Sequence, residues 1–107
     1  MEKIVYLTGK VNGDPFYRGK FVKAERIWKD LGYSVMSPAY LPQGIPEENY
    51  LAICLRMIDA CDTICLLPDW LESESAIYEL GYAATKNKIV VMHEVVLRAA
   101  REEKANE

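Results

Sequence analysis

The sequence predicts an α/β fold with a parallel β-sheet, on the basis of three patterns. Short apolar segments rich in β-branched residues alternate with longer amphipathic segments along the 107 residues. The short segments are mostly apolar throughout, which is typical of parallel strands that are covered by helices on both faces. Strict alternation implies right-handed crossovers. A chain of this length has one hydrophobic core, so we expect a single domain over residues 1–107.

The first strand is predicted at Lys3–Thr8, a run of β-branched and aromatic residues. Gly9–Gly13 follows, with glycines at both ends that permit tight turns and a close approach of a ligand to the backbone. Asp14 and Pro15 predict a helix start, as an N-cap acceptor and a first-turn proline. Gly32 is placed to end this helix. The helix has apolar residues at steps of three and four, namely Tyr17, Phe21, Ala24, Trp28 and Leu31.

The middle of the chain is predicted to hold a second strand, a long loop and a second helix. The strand is Tyr33–Met36, and the loop is Ser37–Pro46. Three prolines in this loop exclude regular structure and predict a stiff, extended segment. Loops of this length in small domains usually serve as lids or interfaces. The helix is Glu47–Ala60, whose core stripe is predicted as Tyr50, Cys54, Met57 and Cys61.

The last part of the chain is predicted to repeat the strand and helix order twice. A buried strand at Thr63–Leu67 leads through a short loop into a helix that opens at Ser73. A fourth strand is predicted at Lys88–Met92 and a last helix at Glu94–Glu103. We expect the charged tail, residues 98–107, to fray.

We expect the strands to lie in the order 2-1-3-4, in a small flavodoxin/Rossmann-like fold with three layers. The carboxyl ends of strands 1 and 3 are neighbours in that order. The loops after Thr8 and Leu67 would therefore face the same crevice, at the sheet edge where α/β proteins bind ligands.

Composition excludes several function classes. The net charge of −3 and the lack of a basic stripe argue against binding to a nucleic acid polymer. No apolar run approaches the ~20 residues of a membrane span, and the N-terminus has no signal-peptide pattern. We therefore expect a cytoplasmic protein with no membrane partner.

A protein-built metal site is not expected. The spacing of Cys54, Cys61 and Cys65 matches no zinc motif, and His93 is the single histidine. An odd number of cysteines without a secretion signal indicates reduced residues that pack as small hydrophobic groups. We expect no cofactor.

The helix that opens at Ser73 is a candidate binding element. Ser73 suits the N-cap, and the free N–H groups of the first turn could hold an anion such as a phosphate. Glu79 lies six residues further on, roughly 9 Å along the axis, and helical side chains lean back toward the N-terminus. A ligand with its phosphate at the helix start could thus place a sugar carbon near Glu79. The alternative is that Ser73 only caps the helix and Glu79 is a solvated helix acid.

Other residues near the predicted crevice are less distinctive. Asp62 and Asp69 flank the third strand, where an aspartate often only marks a strand boundary. Tyr6 lies in the first strand, where a tyrosine is usually part of the core. Trp70, next to Pro68 and Asp69, could wall a pocket or stack on a ring.

Taken together, these motifs resemble the nucleoside 2-deoxyribosyltransferase-like proteins, and most closely the DUF4406 group. That group has a strand ending Y-L-[ST]-G, then C-D before an apolar strand, L-P-x-W, and S-x-G-A-x-x-E. The corresponding segments here are Tyr6–Gly9, Cys61–Asp62, Leu67–Trp70 and Ser73–Glu79. The resemblance covers about residues 6–91, and the combined order is far more specific than any one motif.

The resemblance implies an enzyme that acts on the N-glycosidic bond of nucleosides or nucleotides. Glu79 would be the nucleophile, Asp62 would contact the base or assist its departure, and Tyr6 would orient the glutamate. Ser73 would contact a phosphate. The chemistry would follow that of a retaining glycosidase, in which a carboxylate attacks the anomeric carbon. The other residues implied in substrate binding are Thr8, Gly9, Asn12, Gly13, Asp69, Trp70 and Ser75.

The sequence departs from the pattern at three places. Ser75 replaces the glycine two residues after the serine, and Lys10 and Asn12 stand where relatives often have proline and threonine. Ser73 replaces an aspartate of the transferases proper, which favours a nucleotide over a free nucleoside. Hydrolysis and base exchange both remain open, and a non-catalytic nucleotide-binding module is the alternative function. The relatives are oligomers whose sites a neighbouring subunit completes, so a homo-oligomer is expected.

Overall fold

The structure, a computed structural model, describes residues 3–106 and has four strands that alternate with four helices. The strands are β1 (Ile4–Thr8), β2 (Ser34–Met36), β3 (Thr63–Leu66) and β4 (Ile89–Met92). The helices are α1 (Tyr17–Asp30), α2 (Glu47–Asp59), α3 (Glu74–Thr85) and α4 (His93–Ala105). Single 3-10 turns occur at Pro38–Tyr40 and Trp70–Glu72.

The four strands form one parallel sheet in the order β2-β1-β3-β4, which confirms the predicted topology. The chain leaves β1 toward one edge of the sheet and later enters β3 on the other side of β1. Thr8 at the end of β1 pairs with Leu66 at the end of β3. The carboxyl ends of the two central strands therefore lie side by side, at the switch point of the topology.

Helices cover both faces of the sheet, as a three-layer fold requires. Successive residues of a strand point to opposite faces, so β1 contributes Val5 and Leu7 to one core and Tyr6 to the other. The first core packs against α1 and α4 and includes Phe21, Trp28 and Val96; we call this side the α1–α4 face. The second packs against α2 and α3 and includes Cys54, Ile58 and Ala83; we call this side the α2–α3 face.

Helix α1 starts later than predicted. The Asp14 carboxylate accepts a hydrogen bond of 2.9 Å from the Phe16 amide, which closes a turn before the helix rather than capping it. The predicted end is confirmed, because Gly32 adopts a φ of 89° and its amide bonds to the Lys29 carbonyl at 2.9 Å. A left-handed residue after the last turn is a usual helix stop.

The prediction that prolines exclude regular structure from Ser37–Pro46 is wrong for one turn. Pro38 begins a 3-10 turn, and the Ser37 hydroxyl accepts a hydrogen bond of 3.2 Å from the Ala39 amide. Proline suits the first position of such a turn because its missing N–H would have no partner there.

Strand β4 is less covered than its apolar sequence predicts. Ile89, Val90 and Met92 are 49%, 43% and 37% exposed, and only Val91 packs against the core of the α1–α4 face. The reason is position: β4 lies at the edge of the sheet, where the two flanking layers reach it incompletely. An apolar edge strand with exposed side chains is a surface that proteins usually protect.

Helix α4 continues to Ala105 and so includes most of segment 98–107, whose fraying stays a prediction. No helix within residues 3–106 is both long enough and apolar enough to span a bilayer.

Candidate functional site

The site is centred on Glu79, which α3 places against the carboxyl end of β1. Thr8 follows Tyr6 by two residues, so both side chains point to the α2–α3 face. The Thr8 hydroxyl donates a hydrogen bond of 3.0 Å to the Glu79 carboxylate. Glu79 is only 3% exposed, so the alternative of a solvated helix acid is wrong. A buried carboxyl group that is held by a strand residue is a candidate for chemistry.

Burial governs the protonation of Glu79. Loss of hydration raises the pKa of its carboxyl group to about 7, although the neighbouring Tyr6 and Thr8 hydroxyls favour the ionised form. Burial and the nearby Glu79 raise the pKa of Tyr6 well above its usual value, so Tyr6 stays a neutral hydroxyl. This hydroxyl is fully buried without a hydrogen-bond partner among the described residues. It is therefore free to donate to Glu79 when the carboxylate forms.

Two residues of α2 belong to the same cluster, and sequence reasoning assigned them only to the core. Cys54 is buried beside Tyr6 and Glu79, and burial raises the pKa of its thiol to about 12. Tyr50, one turn earlier, has a buried hydroxyl without a partner among the described residues. Burial, Cys54 and Glu79 raise the pKa of Tyr50. One feature of the sequence could have indicated Tyr50. It carries a hydroxyl group although it lies on the apolar stripe of a helix, and this stripe faces the carboxyl end of β1.

A cavity of about 290 Å³ opens beside Tyr50. One wall is the loop after β1, including Asn12 and Gly13, and the opposite wall is the proline-rich loop at residues 41–45. Glu47 also lines the cavity, and its lining has no lysine or arginine. Tyr50 lines the cavity and also lies near Glu79, so it joins the open space to the buried carboxyl group.

Asp69 connects the loops that follow β1 and β3. Its carboxylate accepts a hydrogen bond of 3.0 Å from the Lys10 amide and pairs with the Lys20 ammonium group. A side chain at Gly9 would place its Cβ 2.9 Å from Leu67 Cβ and 3.0 Å from the Asp69 carboxylate. Glycine is thus needed for close packing between the two loops, which lie side by side. That both loops line one ligand crevice stays a prediction, because the loop after β1 lines the cavity beside Tyr50 and Leu67 and Asp69 do not.

Ser73 caps α3 as predicted. Its hydroxyl accepts a hydrogen bond of 3.1 Å from the Ala76 amide and lies 3.1 Å from the Ser75 hydroxyl. Trp70 is half-buried and packs against the core of the α2–α3 face. These residues stand at the carboxyl edge of the sheet, at the start of the helix that carries Glu79.

The structure does not bring Asp62 to this cluster. The Asp62 amide bonds to the Ile4 carbonyl at 3.0 Å, and its carbonyl accepts from Ile89 at 3.0 Å, so it lies at the amino edge of the sheet. Its carboxylate accepts a hydrogen bond of 2.8 Å from Thr63. Strand β3 runs from Asp62 toward the site, and Thr8 pairs with Leu66 at its far end. Asp62 is therefore separated from Thr8 by the length of the strand, roughly 13 Å at ~3.3 Å per residue.

Within residues 3–106 there is no group of three or more histidine, cysteine or acidic residues that could hold a metal ion. The three cysteines are free and buried, as predicted for small core residues. Burial raises the pKa of each thiol, to about 12 for Cys61 and about 11 for Cys65, so neither thiol is a reactive nucleophile at neutral pH.

Comparison with known proteins places this chain in a family. The model of a domain of unknown function, DUF4406, matches residues 3–92. Among solved structures, the chain is similar to a 2-desoxiribosyltransferase from Leishmania mexicana, with a TM-score of 0.69 and 21% identity. That match covers 84% of this chain and 63% of the other, so this chain spans less than two thirds of that protein's length. No curated protein matches the sequence. The chain therefore belongs to the DUF4406 family and has a 2-deoxyribosyltransferase-like fold.

Proposed function

We propose that the protein cleaves or exchanges the N-glycosidic bond of a nucleoside or nucleotide, with Glu79 as the nucleophile. The observation that carries this proposal is the buried Glu79 carboxyl group, held by Thr8 beside the unpartnered Tyr6 hydroxyl. A carboxylate in this setting is shielded from water, yet hydroxyl donors can stabilise its charged form.

The proposed reaction has two steps. The ionised Glu79 carboxylate attacks the anomeric carbon, and the bond from that carbon to the base nitrogen breaks. The electron pair of that bond leaves with the base, which takes up a proton from solvent water. In the second step water or a second base attacks the same carbon, the bond to Glu79 breaks and its carboxylate is released, and the proton lost by the attacking group passes to solvent. Water gives hydrolysis, and a base gives transfer.

Tyr6 and Thr8 are the proposed positioning residues for the nucleophile. Both are buried and both face Glu79 from β1, so they restrict its rotamers. The Tyr6 hydroxyl can donate a hydrogen bond to the carboxylate oxygen that does not attack the sugar. Asp62 takes no part in this proposal, because it lies at the other edge of the sheet.

The proposed substrate site is the cavity beside Tyr50, together with the start of α3. Asn12, Gly13 and Tyr50 offer backbone and side-chain partners to a sugar or base. For a nucleotide, we propose that the phosphate lies at Ser73 and Ser75, at the positive end of the α3 dipole. Lys10 pairs with Glu72 at 3.6 Å, and its ammonium group could turn to the same phosphate. Thr8, Gly9, Asp69 and Trp70 are proposed to shape this crevice.

The decisive experiment is a turnover assay of the wild-type protein and Glu79→Gln. Deoxynucleosides and their 5′-monophosphates are supplied with and without a free acceptor base, and base release or exchange is followed by chromatography. We expect Glu79→Gln to lose activity by at least about 10³-fold while it still binds the substrate. Glu102→Gln, the same change at an exposed residue of α4, is the matched control.

The same assay tests the alternative of a non-catalytic nucleotide-binding module. Binding of a nucleotide by wild-type protein without turnover of any substrate would support that module and contradict the enzyme. Ser73→Ala separates substrate classes, because it should weaken binding of the 5′-monophosphate and leave binding of the free nucleoside nearly unchanged.

We also propose that the protein forms a homo-oligomer. The supporting observation is the exposed apolar surface of Ile89, Val90 and Met92 on edge strand β4. Apolar side chains that are exposed on an edge strand usually mark an interaction site.

A further inference from the structure

A groove of about 630 Å³ lies between α1 and α4. It lies on the α1–α4 face, whereas Glu79 lies on the α2–α3 face. Leu67 and Pro68, at the end of β3, line it together with Ile27 and Leu97. Its volume is within the range of about 300–1,000 Å³ that is usual for small-molecule sites. The proposed function does not use this groove.

The charges around the groove are opposite to those of the whole protein. The chain has a net charge of −3, but the groove is lined by four lysine or arginine residues and two aspartates. Asp14 and Asp69 pair with Lys20. Within residues 3–106, the other three basic groups of the groove, Lys23, Arg26 and Lys104, form no ion pair. Asp30 also lines the groove and forms no ion pair within the described residues, so it offsets one of these three charges. The groove therefore combines apolar walls with an excess of positive charge.

His93 adds a polar group to this lining. Its Nδ1 atom is buried and has no hydrogen-bond partner among the described residues. Burial lowers the pKa of His93, so the ring is neutral at physiological pH. A neutral imidazole can donate or accept one hydrogen bond at each nitrogen, so a ligand could satisfy this group.

We propose that the groove between α1 and α4 is a second ligand site, which binds a small organic anion with an apolar body, such as an aryl or alkyl carboxylate, sulfonate or phosphate. The apolar body contacts Leu67 and Leu97, and the anionic group lies at Lys23 and Arg26. A neutral apolar ligand would leave the positive charge unpaired. A simple inorganic anion would leave the apolar walls exposed to water.

The test uses two dyes of nearly the same shape. Anilinonaphthalene sulfonate carries an anionic group, and N-phenylnaphthylamine lacks it; both fluoresce more strongly in an apolar site. We expect the sulfonate to bind wild-type protein at least about fivefold more tightly than the naphthylamine does. This ratio corresponds to about 1 kcal/mol, which is typical of exposed charge contacts. In Lys23→Glu/Arg26→Glu that preference should disappear, because both favourable charges become repulsive.

The matched control is Arg98→Glu/Arg101→Glu, which makes the same charge change on exposed residues of α4 that do not line the groove. It should keep the preference for the sulfonate within about twofold, because charges outside the groove are screened by salt. Circular dichroism of both double variants checks that each is folded.

The single histidine locates the bound dye without a full assignment. The ring resonances of His93 should shift as the sulfonate is added, with the same midpoint as the fluorescence titration. Three outcomes would overturn the proposal: no binding to wild-type protein, binding that leaves the His93 resonances unchanged, or equal loss of affinity in both double variants. A groove variant that changes the oligomeric state instead of dye binding would assign the groove to a second copy of the chain and also overturn it.

Discussion

Glu79 is a carboxyl group that the fold keeps away from water, and this has consequences for stability as well as for chemistry. Its pKa rises from an ordinary value of 4.5 to about 7, mainly through burial. The folded state therefore holds the Glu79 proton more tightly than the unfolded state does. The resulting contribution to stability is fully present below pH 4.5 and is lost as the pH rises through about 7.

Replacement of Glu79 by glutamine should stabilise the protein at high pH. Each pKa unit corresponds to about 1.4 kcal/mol, so the wild-type protein loses on the order of 3 kcal/mol across this range and Glu79→Gln does not. Thermal unfolding at pH 8 should show a Tm several degrees higher for Glu79→Gln, and the gain should shrink toward pH 4.5. Glu102→Gln should show no such trend, and a gain that does not depend on pH would refute this explanation.

Thr8 and Glu79 should also set the pH dependence of the proposed reaction. The nucleophile must be ionised, so kcat/KM should rise with pH and level off above about 7. The Thr8 hydroxyl favours the ionised form of Glu79, so Thr8→Val should move the rising limb to higher pH. The measurement is the pH profile of kcat/KM for both proteins. If the two profiles coincide, Thr8 does not tune this carboxyl group.

At the scale of elements, the loops after β1 and β3 determine how the crevice is built. Gly9 packs against Leu67 and Asp69, and Asp69 accepts from the Lys10 amide. The sequence predicted that these loops meet. It also predicted that the glycines let a ligand approach the backbone closely. In the structure, Leu67 and Asp69 of the loop after β3 occupy the space next to the Gly9 backbone.

This contact gives a matched pair of substitutions. Gly9→Ala would place a Cβ 2.9 Å from Leu67 and should destabilise the protein by about 1–3 kcal/mol, as overpacking in a core does. Gly19→Ala lies in α1 with no neighbour within 4 Å of the added Cβ and should stabilise by about 0.5–1 kcal/mol. Urea unfolding measures both values. Equal effects of the two changes would show that the loop contact does not restrict Gly9.

At the scale of the whole molecule, edge strand β4 carries apolar side chains that no other described element fully covers. Its apolar side chains are exposed although their sequence is typical of a strand with both faces covered. A second copy that packs on this surface would reconcile the two observations.

Light scattering coupled to size exclusion tests this proposal. The wild-type protein should elute as an oligomer, and Val90→Lys should shift it toward the monomer, because a charge in an apolar interface is costly to desolvate. Val95→Lys, a change at a residue that is 57% exposed on α4, is the control and should leave the mass unchanged. A monomeric wild-type protein would refute the proposed oligomer.

The sequence by itself determined the alternation of strands and helices, the strand order, and the helix opening at Ser73. Local patterns carry these features: apolar runs, hydroxyl caps and glycine stops act over a few residues. The motif resemblance also singled out Glu79, Tyr6 and Thr8, which the structure brings together. It also assigned Asp62 to the site, although a residue that precedes β3 in a parallel sheet lies at the edge opposite Thr8, as the structure shows.

Only the tertiary structure decided the rest of the site. Tyr50 and Cys54 read as core residues on a helix stripe, and the packing of α2 beside α3 turns them toward Glu79. The raised pKa of Glu79 depends on how many neighbours exclude water from it, which spacing along the chain does not encode. Burial and long-range contact are properties of the assembled layers. The buried environment of Glu79 and its raised pKa are therefore seen only in the tertiary structure.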